Sequence, residues 1–246
     1  AMAETAATDA TQRHFANNLR KESCHTCWSV PVLPAKTTVT SQPHTRGKAS
    51  GVGLISKFPI RLSRNTSEDP FVLSSRYLHC VVKAGPVQIQ VVTLYCKTAS
   101  ANGAARYNNG LLNFALEQIN KIALPYIILG DFNCPIPSLE AWPHLEHLGC
   151  QHLGQIHSRI YGAPMEPTCM GSTTPDNGII SPELVQYVQK VAVLPDGIFA
   201  THRPVLFKLT FPHEGLFKEI IRTPKEIVQL GLEKSDLNAA HYLTKD

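Results

Sequence analysis

Residues 126–129, Tyr-Ile-Ile-Leu, form an unbroken apolar run that stops at Gly130 and gives way to Asp131, Phe132 and Asn133. Four apolar residues bounded by Pro125 and Gly130 predict a short buried strand. Side chains two apart on an extended chain point the same way, so Asp131 and Asn133 share a face where the strand leaves its sheet. A carboxylate beside a carboxamide there suits water and phosphate handling. The same residues equally suit a plain Asx turn closing a strand.

Other stretches resolve by the same periodicities. Asp9-Ala10-Thr11-Gln12 has a helix-start pattern, and Phe15 and Leu19 fall four apart, predicting a helix over 10–21. Residues 29–50 lack periodicity and read as a long loop, and 51–56 read as a strand ended by Phe58-Pro59. Two β-branched runs, 78–83 and 87–95, flank Ala84-Gly85-Pro86 and predict a hairpin. Residues 106–121 carry Tyr107, Leu111, Leu112, Ala115, Leu116 and Ile119 at helical spacing, an amphipathic helix that packs on a sheet. Residues 134–175 are rich in Pro, His and Gly, with one helical stretch near 139–148. Residues 178–180, 188–194 and 205–211 read as strands, with a helical turn over 182–187. Strands interleaved with helices and a hairpin predict a mixed α/β domain.

The pattern changes after Pro212. Thr223-Pro224-Lys225-Glu226 is a capping box with proline at the first helical position. Residues 1–212 therefore read as one domain and 213–246 as a helical linker or the start of a further module. The charge divides at the same place: 1–212 hold 18 Lys/Arg against 13 Asp/Glu, and 213–246 hold 5 against 6. A modest basic excess suits a polyanionic substrate without forming a dense nucleic-acid stripe. The 7 cysteines are an odd number without a regular framework, which suits reduced thiols inside a cell. Cys24 and Cys27 lack the second pair that a zinc site wants. No apolar run approaches the ~20 residues of a membrane span, and no Gly-rich phosphate loop is present.

Polar candidates recur at element boundaries. Glu4 lies just before the first helix, Tyr95 closes the strand Val-Val-Thr-Leu-Tyr, Asp176 stands ahead of an apolar stretch, and His202 precedes the last strand. Singly, each has a plain structural role: a helix-end acid is commonly a solvated cap, and a strand-end tyrosine is commonly core with its hydroxyl at the rim.

Taken in order, the set is more specific. Glu4-Thr5, the strand Gly-Val-Gly-Leu-Ile-Ser, Leu94-Tyr95, Ile-Leu-Gly-Asp-Phe-Asn, Thr168 ahead of Asp176, and His202-Arg203-Pro204 together resemble the endonuclease/exonuclease/phosphatase superfamily, the fold of DNase I and the apurinic/apyrimidinic endonucleases. The resemblance runs from about residue 2 to 211. Within the superfamily the chain is most similar to the endonuclease domain of non-LTR (LINE-type) retrotransposons, on the Pro-Thr-Cys-Met-Gly-Ser and Ile-Ser-Pro-Glu-Leu segments and the break after Pro212.

The resemblance implies an α+β fold, a four-layer α/β/β/α sandwich of two mixed sheets flanked by helices. It implies a Mg²⁺-dependent phosphodiesterase, with Mn²⁺ as a substitute, that nicks DNA in the nucleus for target-primed reverse transcription, joined to a reverse transcriptase module. Glu4 would ligate the metal, a hard cation that takes a carboxylate or two and keeps several waters. Asp131 would orient or deprotonate the attacking water, and Asn133 would donate to the phosphate or fix Asp131. His202 would donate to the phosphoryl oxygen where charge builds, with Asp176 orienting its ring. Tyr95 would bond the phosphate or assist the leaving oxygen.

Two departures qualify the likeness. The family has Asp-His where this chain has Thr201-His202, which removes a carboxylate near the metal. The family also has an N-terminal strand ending in Asn, which this sequence lacks. Two other readings therefore stand beside the nuclease: a catalytically impaired remnant that keeps the fold and weak DNA affinity, and a superfamily phosphatase acting on a small phosphomonoester or phosphoinositide.

Overall fold

A computed structural model describes residues 3–4, 18, 21, 24–28, 48–49, 52–63, 71, 76–169, 173–195 and 201–211. In chain order the strands are β1 (Ala3–Glu4), β2 (His25–Trp28), β3 (Lys48–Ala49), β4 (Gly53–Ser56), β5 (Ile60–Leu62), β6 (Tyr77–Ala84), β7 (Val87–Tyr95), β8 (Tyr126–Asp131), β9 (Gln151–His152), β10 (Asp176–Ile180), β11 (Val188–Val193) and β12 (Val205–Leu209). The helices are α1 (Ala104–Asn120), α2 (Trp142–His147), α3 (Leu153–Tyr161) and α4 (Pro182–Val185).

A six-stranded sheet in the order β5-β6-β7-β8-β10-β9 organises the chain. The predicted hairpin is its centre: β6 and β7 pair antiparallel from Ala84 opposite Val87, around Gly85 at φ 62°. That left-handed turn suits glycine, which has no Cβ to clash. β7 and β8 run parallel. Parallel neighbours need a crossover longer than a turn, and α1 supplies it.

One face of the sheet packs on α1. Val92, Leu94, Ile128 and Ile179 meet Leu111, Leu112, Ala115 and Ile119 in a single cluster. Burying each Leu or Ile fully contributes on the order of 2 kcal/mol. The opposite face, with Ile89, Ile127 and Ile180, packs on Leu153 and Ile156 of α3 and on Val188 and Val191 of β11. The arrangement is the expected mixed α+β sandwich: a central mixed sheet, helix on one face, β-hairpin and helix on the other. A second continuous sheet is absent among the described residues, which hold the other strands as the two-stranded ladders β1–β3, β2–β4 and β11–β12.

Several expectations change. Glu4, expected just before a helix, lies in β1 with its backbone opposite Lys48, a residue expected in the long loop over 29–50. Asn18 and Lys21 are helical; the rest of the predicted helix over 10–21, and the whole of 213–246, lie outside the described residues. Helix α3 falls where an irregular segment was expected. It starts from an unusual cap: the His152 ring nitrogen Nδ1 accepts from Gln155 N–H at 3.3 Å, and Gln155 Oε1 accepts from His152 N–H at 3.1 Å. Histidine is outside the usual Ser/Thr/Asp/Asn set of N-caps, so the start signal is hidden. Cys27, on β2, hydrogen-bonds Cys80, whose thiol is pushed up by that bond and by burial. This is a neutral thiol contact, and no described three-ligand cluster includes it.

Candidate active site

The sheet register brings three predicted residues into one row. Tyr95, last in β7, is the Cα partner of Asp131, last in β8, and Asp131 is the partner of Asp176, first in β10. Side chains alternate along a strand. The three share parity with Val91, Ile127 and Ile180, which belong to the cluster on the face opposite α1. They therefore project together at that face's edge, where the apolar packing ends.

Gly130 makes the close approach possible. A Cβ there would collide with the Leu94 carbonyl oxygen of the neighbouring strand. Phe132 points the other way and is fully buried against α1's cluster. The chain then turns at Asn133, the one non-glycine residue with positive φ (51°) among the described residues, in the left-handed region that asparagine tolerates better than most. This conformation gives Asn133 two local tasks. Its N–H donates to Asp131 Oδ1 at 3.1 Å, and its Nδ2 donates to the Cys96 carbonyl at 3.0 Å. These bonds tie the turn to Asp131 through the backbone and to the residue after β7 through the carboxamide.

His202 arrives from outside the sheet, through a bridge with Cys169 ahead of β12. Its Nδ1 lies 2.8 Å from Asp176 Oδ2. A carboxylate oxygen accepts, so Nδ1 carries the proton and Nε2 is left as the reactive nitrogen. Thr168, fully buried, holds this pair in place. Its hydroxyl accepts from Asp176 N–H at 3.1 Å, and its carbonyl accepts from Arg203 N–H at 2.7 Å. Arg203 also pairs with Glu166 at 3.1 Å; with Glu166 mostly exposed, that pair adds little.

The row opens onto a cavity of about 670 Å³, lined by Tyr95, Asp131, Asp176, Thr201 and His202 at its polar end and by Leu129 and Phe207 among its apolar wall. Burial raises the Asp131 carboxyl above the ordinary carboxylate range, and the neighbouring Asp176 adds to the rise; His202 and the Asn133 amide oppose it. One step below Tyr95 on β7, the Thr93 hydroxyl is buried with no hydrogen-bond partner among the described residues. Oxygens of Asp131 and Asp176 and a ring nitrogen of His202 lie within 4.8 Å of one another. Two partly desolvated carboxylates side by side fit a hard divalent cation, whose charge would offset their repulsion. The His202 nitrogen facing Asp176 is engaged in that pair, so the carboxylates are the better ligands.

The structure thus gathers Tyr95, Asp131, Asn133, Asp176 and His202. The Glu4 side chain lies outside the described residues. Arg76 and Asn108 are polar partners that the sequence did not single out. Arg76 Nη1 donates to the Tyr95 carbonyl at 3.0 Å, and Asn108 clasps Lys97 through both its N–H and its carbonyl, at 2.8 and 2.9 Å. The hairpin register carried a signal for the first: counting pairs back from the turn sets Arg76 opposite Tyr95.

Comparison with known proteins agrees with the fold. No curated protein matches the chain. Among solved structures it is similar to a 3′-5′ exonuclease (NExo) from Neisseria meningitidis, with 14% identity over 80% of this chain and 83% of that one and a TM-score of 0.56. An AP endonuclease from Archaeoglobus fulgidus gives 13%, 80%, 83% and 0.56, and the AP endonuclease LMAP from Leishmania major gives 13%, 78%, 72% and 0.55. At such identities the likeness speaks for the fold. Residues 2–203 match the model of the Endonuclease/Exonuclease/phosphatase family, which takes in every site residue placed above, and the chain belongs to that family.

Proposed function

We propose that this chain is a Mg²⁺-dependent phosphodiesterase that nicks DNA, the endonuclease module of a non-LTR retrotransposon polyprotein that works in the nucleus beside a reverse transcriptase. The observation that carries the reading is the in-register row Tyr95–Asp131–Asp176, with His202 held to Asp176 at 2.8 Å. Asp131, raised by burial, is suited to orient and deprotonate a water. His202 in its protonated form donates from Nε2 to a phosphoryl oxygen while Asp176 accepts at Nδ1. Tyr95, the register partner of Asp131, would bond the phosphate. Asp131, Asp176 and Glu4 are the residues that would hold the cation. When bound, it supplies charge stabilisation for an in-line displacement.

A second reading, an impaired copy that keeps the fold and weak DNA affinity, is favoured by one observation. Thr201 lines the cavity beside His202, where a carboxylate stands in the family pattern. A neutral hydroxyl in that place weakens the hold on a cation.

The test is end chemistry. In Mg²⁺ the purified chain nicks supercoiled plasmid, and a DNA polymerase extends the nick without prior end repair, as priming of reverse transcription needs. Phosphate release from inositol polyphosphates without nicking would move the assignment to a phosphatase. Folded protein that binds DNA without cutting it in Mg²⁺ or Mn²⁺ would favour the impaired copy.

A further inference from the structure

Arg76 lies just ahead of β6, beside the end of β7. Its carbonyl accepts from Tyr95 N–H at 2.9 Å, and its Nη1 donates to the carbonyls of Tyr95 at 3.0 Å and Cys96 at 3.3 Å. The guanidinium carbon also sits 4.5 Å from the centroid of the Tyr95 ring. One residue therefore grips the tyrosine by its backbone and by its ring. The gripped segment continues to Asp131: Cys96 N–H donates to the Asp131 carbonyl at 2.8 Å, and the Cys96 carbonyl accepts from both Arg76 and Asn133.

We propose that Arg76 is a positioning residue for the reaction, setting the direction of the Tyr95 phenol relative to Asp131. The proposal rests on the phosphodiesterase reading, in which Tyr95 meets the phosphate. A planar guanidinium can lie against a ring while it donates to two carbonyls; a lysine ammonium has donors enough but no plane to stack, and its flexible stem loses more freedom in holding the same place. The phenol is then pre-placed, and the entropic cost of ordering it is not met during the reaction.

The test is a double-mutant cycle on plasmid nicking with Arg76→Met, Arg76→Lys, Tyr95→Phe and the Arg76→Met/Tyr95→Phe pair, with hydrogen exchange measured over residues 95–98. Arg76→Met lowers kcat about 10–100-fold with KM within about twofold. Arg76→Lys recovers little of this, and the double variant is no more than about twofold slower than Tyr95→Phe. Exchange at 95–98 quickens about tenfold in Arg76→Met while residues 104–120 are unchanged. Losses that multiply, full recovery by lysine, a Tyr95→Phe variant as fast as wild type, or unchanged exchange would each overturn the proposal. A wild-type chain that does not nick counts against the phosphodiesterase reading, and exchange then decides the clamp alone. Should Arg76→Met not fold, Arg76→Lys carries both measurements.

Discussion

Asp131 and Asp176 are register partners on adjacent antiparallel strands, and their carboxylates converge at one edge of the sheet. Two acids so placed repel each other in a partly dry setting. The arrangement is costly for stability and useful for cation binding.

Asp131→Asn should therefore stabilise the metal-free protein. Burial and Asp176 both disfavour the Asp131 charge, and the carboxamide keeps an oxygen to accept from Asn133 N–H. Removing the charge relieves both, and the Tm rises. Thermal unfolding in chelator measures it. Added Mg²⁺ then raises the Tm of the wild type more than that of the variant. A Tm lowered by several degrees would contradict the assignment of Asp131 as a strained acid.

Gly130→Ala should damage both stability and activity. The added methyl meets the Leu94 carbonyl, a rigid backbone group, so strands β7 and β8 must part. Overpacking of this kind costs about 1–3 kcal/mol. Urea unfolding should show the loss, and Tyr95 and Asp131, partners across that same ladder, should lose their register. An unchanged midpoint would mean that the strands have more room than the geometry gives.

Much of this centre was legible in the sequence, for local reasons. The apolar run before Gly130 announces β8, the Ala84-Gly85-Pro86 turn announces the hairpin, and helical spacing over 106–121 announces α1. Each signal is complete within its own segment. What was hidden depended on contact across the chain. Helix α3 has Leu153, Ile156 and Ile160 at helical spacing, but its cap is a histidine and Gly154 stands in its first turn. The pairing of β1 with β3 joins residues more than forty apart without a pattern in either. Asn108 is by pattern only a polar position on an amphipathic helix, and the fold alone sets it against Lys97.

A buried histidine away from the site should make stability depend on pH. Gln90 Nε2 donates to the carbonyls of Ile122 and Leu124, at 2.9 and 2.8 Å, which leaves Gln90 Oε1 to accept from His79 Nε2 at 3.0 Å. Burial lowers the His79 pKa, with the Gln90 bond opposing. As pH falls below the ordinary histidine value, the unfolded chain takes up a proton before the folded one, and stability drops until the folded pKa is reached. Urea unfolding between pH 7.5 and 5 should show this loss, reduced in His79→Gln. An identical pH slope in that variant would remove His79 from the explanation.

Thr201→Asp should raise nicking by about 10–100-fold if the site is otherwise intact, the scale on which a supporting group acts at a metal centre. Initial nicking rates across a Mg²⁺ titration measure it, and the half-saturating concentration should fall as well. No gain in rate or in metal affinity would place the damage elsewhere and support a decayed copy.

The most direct measurement is relaxation of supercoiled plasmid in Mg²⁺ by the wild-type chain, Asp131→Ala and His202→Ala, with folding of all three checked by circular dichroism. The predicted result is nicking by the wild type that falls at least about 100-fold in each variant. Wild-type nicking that persists in either folded variant, or its absence at high enzyme with Mg²⁺ and with Mn²⁺, would contradict a phosphodiesterase centre built on Asp131 and His202.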